Sequence, residues 1–526
     1  MEGSSGKTSG LAHPGRRVPG DGKVHRFSAS HSVLLFAFAF AVMADPVSSV
    51  AYAIEAALRA LGGDLALLMV TMTLVVAIIC LIIVNYQRLV ARYPMGGDAA
   101  AAAGEAFGEG WAFLPIGALI VDFVLTIAIS VSAGTSAIID YAPELSGWRI
   151  PLAVGLILLV ASITWFGNLG RAVFAVLTVV FIVFAVLVII GAFTTPVNTA
   201  DTVAQAPHAP ALSVALAFPV AMALATGVEA PSSAIAQLGQ LDDHGRRQFG
   251  RITLWLTLGI VGGLTIGLTA ATVHLGGHIP DTGSTLIADI AKASVPTPVY
   301  GLFQGATALL LLSAASSSFQ AGPGLLKALA RRTDGAGHEL GILPRPLGRT
   351  NSHYTPYSGV VVFAIMAVAV TITGGAQDQR LVLYYAVAVF ISFLMGLLAM
   401  ARFSHQDAET GWLVVNMFGA AVVGFTLVVN LARGRPLVSL AASLLLAAAL
   451  YITWVRQGRP RGIAHAASDA HQVQSEPSHQ DHTQVEVRQA SPKIPPATLD
   501  TPSTSAQVAP PERRHARRDQ HTRDEK

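Results

Sequence analysis

The sequence predicts an all-α, polytopic membrane protein of about twelve spans, and three observations predict it. The chain of 526 residues is 52% hydrophobic and only 12% charged, against about 25% charged residues in an ordinary soluble domain. Residues 32–455 hold just 18 of the 34 Lys and Arg and 20 of the 31 Asp and Glu. A water-facing surface of that size cannot be covered with so few charges. Apolar stretches of spanning length, about 20 residues, recur from His31 to Val455. A soluble enzyme is thereby set aside; no enzymatic activity and no cofactor are expected. The net charge of +3 sits in the tails, so no nucleic-acid partner is expected. The single cysteine, Cys80, lies in an apolar run, which excludes an internal disulfide and a Cys metal cluster.

Residues 1–31, rich in Gly, Ser, Pro, Arg and His without apolar periodicity, read as a disordered cytoplasmic tail. Arg16-Arg17 precedes an apolar run, but that run contains Asp45 and ends without a small-residue cleavage site, so no removable leader is expected. The predicted spans are 32–61, 65–91, 111–139, 150–167, 169–193, 212–238, 252–275, 298–328, 357–374, 380–402, 412–432 and 436–455. Gly167-Asn168-Leu169-Gly170 separates the fourth from the fifth. Cytoplasmic connections collect Lys and Arg. Here the even-numbered connections carry Arg88 and Arg92, then Arg171, then Arg246, Arg247 and Arg251, then Lys327, Arg331, Arg332, Arg345 and Arg349. The connection from Thr194 to Leu212 has none; Arg433 and Arg435 are the exception. Both termini are therefore expected in the cytoplasm of a cell-membrane protein, with lipids as surroundings. Residues 456–526 are polar and read as a second disordered cytoplasmic tail, whose scattered histidines lack metal-ligand spacing.

Four acids lie well inside the predicted spans: Asp45, Glu55, Asp122 and Glu229. A central carboxylate costs about 2.5–3.5 kcal/mol to insert, and no Lys or Arg lies at comparable depth to pair with them. They are expected to line a cavity and bind a cation, or to hold protons. Glu55 is the exception, four residues from Arg59 and so placed for an ion pair at the span's rim. Asp45 precedes Pro46, which disfavours helix at the residue before it, so the first span is expected to break there. Glu229 lies in Thr226-Gly227-Val228-Glu229-Ala230-Pro231, where Gly227 and Pro231 weaken the sixth span in the same way.

The two segments are alike. Asp45 is followed by Ser48 and Ser49, and Glu229 by Ser232 and Ser233, at the same offsets. They lie 184 residues and five spans apart. Two breaks at corresponding positions point to a secondary transporter made of two repeats. Because five is odd, the second repeat is inverted. The expected organisation is a first five-helix repeat over 32–193, a second over 212–402, and two further helices over 412–455.

In the third span Asp122, Thr126 and Ser130 are spaced by four and share one helix face. Hydroxyls bonded back to the backbone would account for Thr126 and Ser130 but leave Asp122 unpaired. Tyr52 lies two turns along the face of Asp45, and Tyr385 is intramembrane in the tenth span. Gly259, Gly263 and Gly267 form a small-residue seam, expected to pack closely. The hydroxyls of Ser313, Ser316, Ser317 and Ser318 serve either packing or an ion.

Several segments resemble the amino acid–polyamine–organocation superfamily, and within it the KimA-type potassium importers. They are Asp45-Pro-Val-Ser-Ser-Val-Ala-Tyr52, Tyr93-Pro-Met-Gly-Gly97, Val121 to Ser132, Thr226-Gly-Val-Glu229 and Tyr385-Ala-Val-Ala-Val-Phe390, with weaker similarity including Gly341-Ile-Leu-Pro344. The resemblance covers about residues 30–455. It implies a LeuT-like inverted five-plus-five fold and proton-coupled import. Carried over by motif, it implies potassium at Asp45, Tyr52, Asp122, Thr126, Ser130, Thr226, Glu229 and Tyr385. Three departures stand out. Phe123 replaces a tyrosine of the family pattern, and Ala321 occupies an acidic position of the eighth span in Ser316-Ser-Ser-Phe-Gln-Ala-Gly-Pro323. The residues after the spans lack the folded cytoplasmic domain that often follows in the family, so its regulation by a nucleotide is not carried over.

The function favoured is secondary import of a monovalent cation, potassium, coupled to protons through Glu229 or Asp122; carboxylate, hydroxyl and carbonyl oxygens can replace a hydration shell. An amino-acid or polyamine permease is the alternative. An amino acid's carboxylate would be repelled by Asp45, whereas a cationic amine would not. A non-transporting scaffold or channel needs no matched breaks. The expected partners are a small cation, protons and lipids, with a homodimer as an allowed assembly. Asp45→Asn and Glu229→Gln are each expected to abolish uptake in cells without reducing membrane insertion, as measured by tracer flux and membrane-fraction blotting; normal flux in both would refute the assignment.

Overall fold

The computed structural model describes residues 31–167, 170–196, 205–238, 241–281, 283–331, 341–434 and 436–466. Nearly all of the expected N-terminal tail, most of the C-terminal one, and Asn168, Leu169, Arg332 and Arg435 of the expected connections lie outside the described residues. Every regular element among the described residues is helical.

In chain order the helices are α1 (His31–Val42), α2 (Ala44–Ala60), α3 (Leu65–Arg92), α4 (Ala99–Phe107), α5 (Phe113–Tyr141), α6 (Arg149–Trp165), α7 (Arg171–Thr194), α8 (Pro210–Ala221), α9 (Ala230–Ala234) and α10 (Asp243–His274). There follow α11 (Leu286–Ser294), α12 (Thr297–Ala330), α13 (Tyr357–Thr373), α14 (Asp378–Gln406), α15 (Thr410–Ala432) and α16 (Leu437–Arg456). Side-chain oxygens satisfy the amides that a helix start leaves open. Asp64 caps α3, accepting from the amides of Ala66 and Leu67 at 3.0 and 3.2 Å. Asp98 caps α4, Asp242 caps α10 and Thr285 caps α11.

Among the described residues, eleven helical segments are long and apolar enough to cross a membrane, one fewer than the twelve expected. The remaining predicted span, 357–374, is the apolar helix α13 of 17 residues. Two short helices, α4 and α11, occupy stretches expected to be simple connections. Each has nine residues, too few to stand out as an apolar span.

The first predicted span is interrupted at the single residue Met43, two residues before Asp45, and not at Asp45 itself. Asp45 and Pro46 both fall in the first turn of α2, where a proline's missing N–H is not needed. The hydrogen bonds Met43 N to Ala39 O and Val47 N to Met43 O carry across the interruption. The sixth predicted span comprises α8, a 3-10 turn over Met222–Ala225, a non-helical turn over 226–229, and α9.

Burial sorts the helices. The 18-residue apolar stretches within Glu109–Tyr141, Pro210–Gln237 and Asp378–Gln406 are 83%, 72% and 71% buried, against 28% for those of α15 and α16. The helices bearing the acidic and hydroxyl residues therefore lie at the centre, with α5 packed on α12, α14 and α16. The expected glycine seam on α10 is corrected: Gly259 and Gly263 face open space, and only Gly267 is closely packed, against Ile189. Arg433, the exception to the charge pattern, donates to the carbonyl of Leu216 at 3.0 Å.

The beginning of the expected C-terminal tail is also corrected, because it is ordered and docked. Beyond α16, Trp454 Nε1 donates to Pro460 O at 2.8 Å. The Glu109 carboxylate accepts from the amides of Gly462 at 2.5 Å and Ala464 at 3.1 Å. Ile463, Ala464 and Ala466 are buried, and Ala464 lies on the bare Cα of Gly104 in α4. Two charge-assisted bonds at about 1.5–3 kcal/mol each hold this segment. Glu109→Ala is therefore expected to expose it: limited trypsin digestion of purified protein should cut after Arg461 about tenfold faster than in the wild type.

Candidate functional site

The site begins with how closely two segments approach each other. Gly227 lies in the turn between α8 and α9 with φ +70°, a backbone conformation that side chains disfavour. Its Cα rests on the Asp45 carboxylate, so that an added Cβ would lie 2.8 Å from Oδ2. Ser49 strengthens the junction by donating to Pro46 O at 2.7 Å and across to Leu224 O at 3.0 Å. The serine pairs noted in the sequence behave alike. Ser48 donates to Asp45 O and Ser232 to Glu229 O, both at 2.7 Å. Ser49 and Ser233 each donate to the carbonyl three residues earlier.

A cavity of about 390 Å³ opens beside this junction. Asp45, Asp122 and Glu229 line it together with Asp98, and no Lys or Arg among the described residues does. The remaining candidates sit behind its wall. Tyr52 lies against the Thr226 hydroxyl, which itself donates to Ala223 O at 2.6 Å. Tyr385 is within electrostatic reach of Asp45, Tyr52, Asp122 and Glu229. Ser130 shares the Asp122 face of α5, two turns away, and no interaction ties it to the other seven among the described residues.

The hydrogen bonding of these groups separates packing from binding. Asp122, Thr126, Ser130 and Tyr385 are 5%, 2%, 1% and 1% exposed. Thr126 Oγ1, Ser130 Oγ, Asp45 Oδ1 and Glu229 Oε2 are buried atoms without a hydrogen-bond partner among the described residues, while the Tyr385 hydroxyl faces the Asp122 carboxylate. Back-bonding is available in the same helix, since Thr135 donates to Val131 O at 2.8 Å. Thr126 and Ser130 do not use it, so the polar-packing account fails for them. A buried unsatisfied polar group costs about 1–3 kcal/mol, and these oxygens together form a set suited to a cation.

The cavity reaches only one face. Ala41 and Val42 precede Asp45, Leu119 and Phe123 belong to the first half of α5, and Gly170, Gln237 and Gln320 also lie toward the face from which α1 starts. On the opposite face the chain is tied shut. Glu55 pairs with Arg59 at 2.7 Å, accepts from the amide of Leu286 at 3.0 Å and is 2% exposed, deeper than the rim pair expected. Asp140 accepts from Lys292 at 2.8 Å, Ser284 at 2.6 Å and Gln304 at 2.9 Å, and also from Tyr300. Ser136 donates to Asp378 at 2.9 Å and Gln379 to Tyr52 O at 3.3 Å.

Sequence reasoning counted acids only within spans and so missed three buried ones, Asp98, Asp140 and Asp378. Asp98 had a signal in the cap pattern of an Asp followed by five alanines. Phe123 and Ala321, the departures from the family pattern, both line the cavity, as do Ser317 and Ser318.

The Gly227 contact is directly testable. Gly227→Ala combines a strained φ with displacement of the Asp45 carboxylate. Its uptake is expected to fall at least about tenfold at unchanged membrane abundance, measured by tracer flux against quantitative blotting.

A sequence model described as amino acid permease matches residues 33–455. The chain is 29% identical over 396 residues to the potassium transporter KimA of Bacillus subtilis (strain 168), covering 72% of this chain and 63% of that protein. It therefore spans less than two thirds of that relative's length. Two crystal structures of mutants of the Eremococcus coleocola manganese transporter align with 82% of this chain and 95% of theirs, at 14% and 15% identity and a TM-score of 0.44; at that score the likeness carries no argument. The family match spans most of the chain, and its helices are long and apolar enough to cross a membrane repeatedly. The chain belongs to the amino acid permease family of the amino acid–polyamine–organocation superfamily, and is a multi-pass membrane transporter.

Proposed function

We propose that this transporter imports a monovalent cation, potassium, by proton-coupled alternating access. The observation that carries the reading is the cavity lined by four carboxylates, with no basic side chain among the described ones. An apolar surrounding makes such charges costly unless a cation or protons accompany them. Asp45, Tyr52, Asp122, Thr126, Ser130, Thr226, Glu229 and Tyr385 supply carboxylate, phenol and hydroxyl oxygens for a dehydrated ion. Glu229 or Asp122 takes up the coupling proton, since neighbouring like charges in a dry site favour one protonated partner. The potassium assignment draws on the similarity to KimA, a potassium transporter.

In this reading residues 32–193 and 212–402 form two inverted five-helix repeats, followed by two further helices over 412–455. The parallel bonding of Ser48 and Ser49 with Ser232 and Ser233 supports the repeat, as do interruptions of helix near both acids. The N-terminal face is cytoplasmic, where the arginines cluster. The cavity then belongs to an inward-facing state, and the Glu55 and Asp140 networks close the outer side.

A second reading keeps the same site but takes a small organic amine. The cavity volume of about 390 Å³ favours it, being far larger than a bare ion needs. Purified protein in proteoliposomes is expected to take up rubidium tracer with an acid-inside response, and excess potassium should compete while alanine, arginine and putrescine do not. Competition by putrescine or an amino acid, with none by potassium, would replace the cation reading by the amine or amino-acid one.

A further inference from the structure

Asp98 lies in the link between α3 and α4, outside the spans, yet it shares the cavity with Asp45, Asp122 and Glu229. Its Oδ1 accepts from the amide of Ala101 at 2.9 Å, capping α4. Capping alone does not require a charge, because Asn caps as well as Asp. The charge is costly here. Asp98 is 9% exposed and makes no ion pair with a Lys or Arg among the described residues. Burial pushes its carboxyl above the usual carboxylate range, with the Ala101 amide and His465 pulling the other way. His465 belongs to the docked segment beyond α16 and stands edge-on to Tyr93 at 6.4 Å between ring centroids.

Asp98 is also coupled in space to the site. The buried ring of Tyr86 in α3 lies within electrostatic reach of both Glu229 and Asp98, so two carboxylates flank one side chain. The preceding glycines hold the link in place. Gly96 has φ +92° and no room for a Cβ against Ala236 and Ser233, and the Gly97 amide donates to Ser232 O at 3.2 Å. Asp98 is thus fastened to the segment that carries Glu229, on the side nearer the face to which the cavity extends.

We infer that Asp98 is a further specificity-determining residue, holding the transported cation transiently between Glu229 and the N-terminal face. The inference rests on the cation reading above. Its carboxylate attracts a cation into the mouth of the cavity and hands it to, or receives it from, Glu229. An anion or a zwitterion's carboxylate meets it as a repulsive charge.

Asp98→Asn keeps the cap acceptor and removes the charge, whereas Asp98→Ala removes both. Rubidium tracer flux is measured in proteoliposomes of one orientation, with substrate presented from either face. For Asp98→Asn the KM from the N-terminal face is expected to rise about tenfold, while the KM from the other face and the Tm stay near wild type. Asp98→Ala should show the same rise with a lowered Tm. A wild-type KM for Asp98→Asn on the N-terminal face, or an equal rise on both faces, overturns the inference and leaves the cation reading standing. Wild-type protein that carries no rubidium overturns both.

Discussion

The contact between the bare Cα of Gly227 and the Asp45 carboxylate is the constraint on which the rest of the site depends. It sets two distant segments of the chain side by side. The Ser49 hydroxyl then reaches Leu224 O, and Thr226 comes against Tyr52. Glycine is needed twice over, for its positive φ and for the space that a Cβ would occupy. With the two segments joined, Asp45 and Glu229 share one cavity with Asp122 of α5.

The two faces of the molecule are held differently, and the difference follows from where the charges find partners. On the face opposite the N-terminus, every buried carboxylate has donors: Glu55 has Arg59 and the Leu286 amide, Asp140 has Lys292, Ser284, Tyr300 and Gln304, and Asp378 has Ser136. Satisfied networks of this kind rigidify. At the centre, Asp45 and Glu229 each keep a buried oxygen without a partner among the described residues. The same side-chain chemistry thus closes one face where it is paired and forms a receptive cavity where it is not. Short α11 connects the closing interactions, since its first amide meets Glu55 and its Lys292 meets Asp140.

Much of the helical layout was legible because it depends on length and polarity alone, which a bilayer reads residue by residue. The boundaries near Leu65, Arg149 and Leu437 followed from apolar runs. The elements that escaped, α4 and α11, are too short to register as spans. Their positions come from distant contacts, Gly104 of α4 against Ala464 and the Leu286 amide of α11 with Glu55. The Met43 interruption was misplaced for a related reason: Pro46 looks disruptive in sequence, but in a first helical turn its missing N–H goes unneeded. Asp98 escaped because acids were weighed by predicted depth, and a connection that folds back into the cavity has no depth signature.

By itself the sequence determined that this chain is apolar enough to cross a membrane many times, that a few acids mark its interior, and that the Asp45 and Glu229 segments carry serines at the same offsets. These follow from the cost of charge in an apolar medium, which leaves its trace in composition and spacing. Only the tertiary structure decided which acids share one cavity, which are neutralised by partners, and toward which face that cavity extends. Pairing depends on groups up to 355 positions apart, such as the Glu109 carboxylate and the Ala464 amide. No local pattern encodes such a separation.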